Sequence, residues 1–312
     1  MAEYYNVEAD FMPLLEGMAQ LPPFRERSLE QLRYGTDYSL FGDPEPVREV
    51  REVRIPVDGT DIAALLYLPE GEPTALMIFY HGGGWVMGNL ESHDRGVRTM
   101  VNQTGIAALS IDYRMAPEHP FPVPFEDCRA ALLWARDHCA ELVGADLPLL
   151  VGGDSAGGNL AAVLALLARD GLIPRLAAQV LIYPNTDARQ TADSYRRFGD
   201  GFGLTAATMA WFRDHYVRTP DDITDWRVSP LLASSLAGAA PAFVVIAGHD
   251  ILADEGTAYA ERLRIEGVPL VLRPWLGQIH GFVSMGRHIL AARQAVSEAA
   301  AWLQLQTRVQ AD

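Results

Sequence analysis

One serine in the chain stands where it could serve as a nucleophile. Gly153-Asp154-Ser155-Ala156-Gly157 closes the apolar run 148–153 (PLLVGG) and opens a helical stretch at 156–170. This G-x-S-x-G pattern at a strand-to-helix junction predicts a sharp turn that presents the Ser155 hydroxyl. The flanking glycines let the backbone pass where a side chain would clash. The helix that starts there aims its positive end at the hydroxyl, which favours negative charge developing on an attacked group. A second cluster, His81-Gly82-Gly83-Gly84-Trp85, follows the apolar run 75–80 (ALMIFY). Three successive glycines cost backbone entropy, and a loop whose N–H groups point at a substrate oxygen explains them better than a loose tip. A phosphate cradle would need a lysine and a different spacing.

A serine nucleophile needs a base, and that base needs an acid to orient it. On alternating strands and helices the partners are expected in the order Ser, acid, His. Of eight histidines, His280 lies on a loop beyond the last predicted strand. His81 belongs to the glycine loop, while His93, His119, His138, His215 and His288 fall in surface, insertion or helical contexts. The acid must come from Gly248-His249-Asp250-Ile251-Leu252-Ala253-Asp254-Glu255, which follows the run 242–247. His249 precedes the acid and is expected to point elsewhere.

The elements that must position these residues are visible in the hydrophobic pattern. Residues 48–56 alternate, 61–68 follow across the hairpin signal Asp58-Gly59, and continuous apolar runs occur at 75–80, 106–112, 148–153, 178–183, 242–247 and 268–272. That makes eight strands, the first two antiparallel and the rest parallel. Helical segments such as 125–140 and 156–170 lie between them, an α/β arrangement with helices on both faces. The first 45 residues read as helical. Phe11, Leu14, Leu15 and Met18 recur after an Asp10 N-cap, with Pro13 in the first turn, and a Ser28–Gln31 capping box opens a second helix to about Tyr38. Between Asn185 and Ala240 lie 56 residues with seven aromatic side chains, Tyr195, Phe198, Phe202, Trp211, Phe212, Tyr216 and Trp226. A connection of that length reads as a lid rather than an ordinary crossover.

Composition excludes several chemistries. The 312 residues carry 40 Asp and Glu against 25 basic residues, a formal charge of −15, and all 25 bases are arginine. Without lysine there is no Schiff-base chemistry, no pyridoxal-phosphate anchor, no phosphate-loop lysine and no Ser-Lys dyad. The acidic balance argues against nucleic-acid binding. No secretory leader and no apolar run long enough for a membrane span is visible, so a cytoplasmic location is expected. Cys128 and Cys139 are 11 apart on one predicted helix, too far to bridge, and read as buried fillers.

Five stretches, in order, resemble the bacterial hormone-sensitive-lipase-type esterases (family IV carboxylesterases) of the α/β-hydrolase fold. They are HGGGWVMGNLESHD (81–94), DYRMAPEHPFP (112–122), GGDSAGGNLAA (152–162), HDILADEG (249–256) and IHGF (279–282). The resemblance implies a triad of Ser155, Asp250 and His280, with oxyanion N–H groups from Gly83, Gly84 and Ala156 on a loop shaped by His81 and Gly82. Asp250 is preferred to Asp254 because it comes first after the strand, whereas Asp254 reads as the start of a helix over 254–266. The resemblance also implies a helical cap from residues 1–45 and 185–230 on a core formed by 46–184 and 231–312. Ile251 stands where the family's acid segment more often has proline. Asp154, Arg114 and Glu118 are expected to form one buried ion-pair cluster fixing the nucleophile turn.

The function implied is hydrolysis of short- to medium-chain carboxylic esters through an acyl-enzyme, with no metal or organic cofactor. The partner is a small-molecule ester, and a homodimer through the last edge strand, 268–272, is expected from the family. An amide or N-formyl hydrolase resembling arylformamidases would use the same groups. A non-catalytic small-molecule receptor on this fold would need a broken triad, and all three residues are present.

Overall fold

Alternate side chains of one short strand go to opposite sides of a sheet covered on both faces. In Leu76–Tyr80, buried at every position, Leu76, Ile78 and Tyr80 join one apolar cluster and Met77 and Phe79 the other. The computed structural model describes residues 7–35, 43–286 and 289–308. Its sheet has eight strands: β1 Glu49–Val57, β2 Thr60–Leu68, β3 Leu76–Tyr80, β4 Ala107–Ile111, β5 Leu149–Asp154, β6 Ala178–Ile182, β7 Ala242–His249 and β8 Leu270–Ile279. The spatial order is β1-β2-β4-β3-β5-β6-β7-β8. β1 and β2 are antiparallel across Asp58-Gly59, β2 runs antiparallel to β4, and the other neighbours are parallel. Eight strands, mostly parallel, were the expectation.

Helices α1 Met12–Ala19 and α2 Leu29–Tyr34 precede the sheet. The crossovers carry α3 Leu90–Thr104, α4 Val123–Asp137, α5 Cys139–Val143 and α6 Ala156–Arg169. The long connection after β6 holds α7 Asp193–Arg197 and α8 Ala206–Tyr216; α9 Ala253–Ile265 and α10 Leu290–Arg308 follow. One apolar cluster includes residues of α4, α6 and α9, the other residues of α3 and α10. Cys128 and Cys139 are free and buried, as fillers should be.

Three local expectations need correction. The N-cap of α1 is Phe11, because Asp10 is taken up in a 3-10 turn at Ala9–Phe11. The Ser28–Gln31 capping box is present, but α2 ends at Tyr34, and residues 36–42 lie outside the described part. The last strand is twice the expected length, reaching Ile279 beside His280. Its second half, Arg273-Pro274-Trp275-Leu276-Gly277-Gln278, lacks an apolar run because an edge strand keeps much of its surface in solvent.

Candidate active site

Strand register puts the candidate groups side by side. Tyr80 pairs with Gly153, so the glycine loop and the serine turn leave neighbouring strands at the same level. His249 pairs with Ile279, so Asp250 and His280 also leave adjacent strands together.

Ser155 sits at φ 54° and ψ −117°, a conformation that costs about 1–3 kcal/mol and persists only where the surroundings enforce it. Its N–H donates to Ile182 O at 2.9 Å, and its carbonyl accepts from Asn159 and Asn185. A Cβ at Gly157 would run into the carbonyl oxygen of Tyr80, and one at Gly153 would come within 2.5 Å of it. Both glycines are therefore demanded by the close approach of helix α6 to strand β3.

From Ser155 Oγ the line continues to His280 Nε2 at 3.0 Å and from His280 Nδ1 to Asp250 Oδ2 at 2.7 Å. The Asp250 side chain is fully buried, and its other oxygen accepts the Leu252 N–H at 2.9 Å. That bond holds the turn containing Ile251. Asp254 lies elsewhere, accepting from Ser194 N and from Arg197. The Tyr183 ring, at the end of β6, packs 4.6 Å from the His280 ring. Nothing in the sequence pattern had marked Tyr183.

The glycine loop folds back over this line. Gly83 (φ 115°) and Gly84 (φ 62°) take left-handed backbone, and Val86 and Met87 donate to Gly83 O to close the turn. Among the described residues, none accepts a hydrogen bond from the N–H of Gly83, Gly84 or Ala156. Ala156 is the first residue of α6, where N–H groups have no partner in their own helix. Trp85, also left-handed at φ 60°, is held by a face-to-face stack on Tyr216 of α8, 4.2 Å between centroids.

Ser155, His280, Gly83 and Gly84 line one cavity of about 240 Å³. Met18 and Phe24 enter from the N-terminal segment, and Leu204, Met209 and Phe212 from the long insertion. Of the seven aromatic residues counted in the insertion, Phe212 lines this cavity, and a Cβ at Gly84 would strike its ring. Tyr216 instead packs on Trp85 and Phe121, and Phe198 and Phe202 pack on His249.

The expected cluster of Asp154, Arg114 and Glu118 resolves into three separate pairs. Arg114 binds Asp127, a buried carboxylate on α4, and Glu118 binds Arg33 of α2. Asp154 binds His93 Nε2 at 3.0 Å and the Gly82 N–H at 2.9 Å. Arg114, after β4, reaches Asp127, and Arg33, on α2, reaches Glu118, pairings that spacing along the chain does not reveal. His93, expected in a surface or helical setting, is in the first turn of α3 with a side chain 14% exposed. The signal was available: the Asn89–Ser92 capping box fixes where α3 starts and so which way His93 faces. His81 is fully buried and stacked on Tyr113, and burial, aided by nearby His93, lowers its pKa to about 4, so it is neutral.

A family profile described as alpha/beta hydrolase fold matches residues 77–284. The chain is 46% identical over 246 residues to the carboxylic ester hydrolase LipN of Mycobacterium tuberculosis, covering 76% of this chain and 65% of that protein. It is 39% identical over 247 residues to an ethyl acetate hydrolase of Pseudomonas putida, covering 77% of each. Among solved structures it is similar to a hyperthermophilic esterase from the archaeon Pyrobaculum calidifontis. That match has 36% identity and a TM-score of 0.90, over 96% of this chain and 98% of the other. With the strand order, the serine turn and these matches in agreement, the chain belongs to the alpha/beta hydrolase fold family, in its hormone-sensitive-lipase-type branch of esterases.

Proposed function

We propose that the protein is a serine carboxylesterase acting on small esters through an acyl-enzyme on Ser155. The observation that carries this reading is the hydrogen-bonded line Asp250–His280–Ser155, opening into the same cavity as Gly83 and Gly84. Relatives named as ester hydrolases support the same reaction class.

In this mechanism His280 Nε2 takes the Ser155 proton as Oγ bonds to the ester carbonyl carbon. Asp250, accepting from Nδ1–H, holds the tautomer and stabilises the imidazolium. The tetrahedral oxyanion is met by the N–H groups of Gly83, Gly84 and Ala156, at the positive end of α6; removing such a donor typically costs about 10²–10³ in rate. The imidazolium protonates the leaving alkoxide, the alcohol departs, and water repeats the cycle to release the acid.

The N-terminal segment, within 1–45, and the insertion, within 185–230, act as a cap on the core formed by 46–184 and 231–312. Their support is that both contribute walls to the cavity. Each added acyl CH₂ contributes about 0.8 kcal/mol until the pocket is full. Turnover of p-nitrophenyl esters should therefore peak between about C4 and C8. A rate still rising at longer chains, with activation by emulsion, would contradict an enclosed pocket. Turnover of an aryl formamide faster than a matched ester would favour the N-formyl hydrolase reading.

The primary test is Ser155→Ala, expected to abolish hydrolysis while leaving the fold intact, together with phosphonate labelling located by mass spectrometry. Labelling anywhere but Ser155 would remove the assignment. A homodimer is proposed through β8, which pairs with β7 on one side and carries Leu276 at 72% exposure. Light scattering that finds monomer at micromolar concentration would dismiss it. Among the described residues no helix is long and apolar enough to cross a membrane.

A further inference from the structure

Three distant parts of the chain meet at one carboxylate oxygen. Oδ1 of Asp154, at the end of β5, accepts the Gly82 N–H from the loop after β3 at 2.9 Å. The same oxygen lies 3.0 Å from Nε2 of His93, in the first turn of α3. Asp154 is the residue before the proposed nucleophile, and Gly82 precedes the two glycines proposed to hold the oxyanion. A Cβ on Gly82 would collide with the Asp154 carboxylate, so this glycine permits the contact.

His93 is held at both ring nitrogens. Ser92 Oγ donates to Asn89 O at 2.7 Å and accepts the Asn89 N–H at 2.9 Å. The same hydroxyl lies 2.7 Å from His93 Nδ1. On the other side Nε2 faces the Asp154 carboxylate, which accepts. The Gly82 N–H is 3.3 Å from Nε2 but 2.9 Å from Asp154, and the shorter bond is the one it makes. With Nε2–H donated to the Asp154 carboxylate, the pairing favours the imidazolium form of His93. Burial is the largest influence on each and opposes both charges. Their mutual attraction and hydrogen bond outweigh it, holding the His93 pKa above and the Asp154 pKa below their ordinary values.

We propose that His93 and Asp154 form a buried ion-pair clamp that fixes the oxyanion loop to the nucleophile turn, making both positioning residues for ester hydrolysis. The clamp engages the N–H of Gly82, leaving those of Gly83 and Gly84 for substrate. It rests on the assignment of Ser155 as nucleophile. The other groups facing the pair are His81, neutral and 5.6 Å from the His93 ring, the Tyr183 phenol, which burial keeps protonated, and His280, whose charge acts on Asp154. As pH rises through the elevated pKa of His93, the clamp loses its charge, so kcat should decline on the alkaline side.

The test is kcat and KM against pH, followed by pH-stat on a short-chain ethyl ester, for the native enzyme and three variants. His93→Leu should lower kcat by roughly 10–100-fold, a partial loss of oxyanion stabilisation, with little change in KM. His93→Gln can donate an amide N–H to Asp154 and does not titrate, so it should recover most of kcat and lose the alkaline decline. Asp154→Asn removes the counter-charge, so its decline should begin at lower pH than in the native enzyme; it also serves if His93→Leu fails to fold. A folded His93→Leu with native kcat, a His93→Gln that keeps the decline, or an unmoved decline in Asp154→Asn would overturn the clamp. Phosphonate labelling of the native enzyme separates the two levels. No adduct on Ser155 defeats the catalytic assignment, whereas labelling with unaltered variant kinetics defeats the clamp alone.

Discussion

Asp250 directly follows β7 and Asp254 lies four residues on in the first turn of α9, and they answer to different partners. Asp250 orients the imidazole of His280, while Asp254 is taken up by Ser194 N–H and Arg197. Asp250→Asn should cost roughly 10³–10⁴ in kcat, since an amide presents the wrong hydrogen-bonding partner to Nδ1. Asp254→Asn should leave kcat within a few-fold, because it touches nothing that reacts. Steady-state kinetics on the two purified, folded variants checks this, and the reverse ranking would move the acid to Asp254. The meeting of Ser155, Asp250 and His280 was legible in the sequence because their order follows the strands; Ser155 and Asp250 directly follow apolar runs, while the run before His280 stops at 272. His93 was legible only through the Asn89–Ser92 capping box that sets the start of α3. The true partners of Arg114 and Glu118 were not, because several carboxylates lay within reach of each cation and only folding selects among them.

At the scale of elements, α8 has two jobs, and its sequence displayed neither. One turn sets Phe212 in the cavity wall over Gly84, and the next stacks Tyr216 on Trp85. Phe212→Ala should enlarge the cavity and move the best p-nitrophenyl ester to a longer chain, read from a chain-length series. An unchanged optimum would show that the acyl group lies elsewhere. Tyr216→Phe should be nearly silent, since the buried hydroxyl has no hydrogen-bond partner among the described residues. Tyr216→Ala should cost about 3–5 kcal/mol in stability, and its loss should release Trp85 and lower kcat as well. Equal effects of the two variants would mean that the hydroxyl, not the ring, matters. The insertion was recognisable from its length and aromatic content, but not which rings reach substrate. Most pack against core residues, and composition cannot distinguish a wall from a buttress.

On the scale of the whole molecule, buried ionisable groups set where the fold is stable, and they pull in two directions. Glu255 of α9 is buried and accepts from Asn185 Nδ2 and from the N–H groups of Thr186 and Asp187, tying the root of the insertion to the core. Burial pushes its pKa well above the usual carboxyl value, only partly countered by those N–H groups. A carboxyl with a raised folded pKa favours the fold while protonated, so its contribution fades as pH climbs through that value. His93, also raised, acts in the same sense. Asp154 is held low by His93 despite its burial, and the half-buried Glu266 is held at about 2 because Ser235, Leu236 N–H and Arg262 outweigh its desolvation. Their contributions are present above the ordinary carboxyl pKa and disappear as pH falls through the depressed values. Thermal stability should therefore pass through a maximum, with a carboxylate-driven fall in acid and a fall toward alkaline pH driven by Glu255 and His93. Glu255→Gln keeps an acceptor for the three donors and cannot ionise, so its melting temperature should match the native protein in mild acid and exceed it at alkaline pH. Calorimetric scans across pH decide the point: a variant curve parallel to the native one throughout would mean that Glu255 keeps the same protonation state across the range.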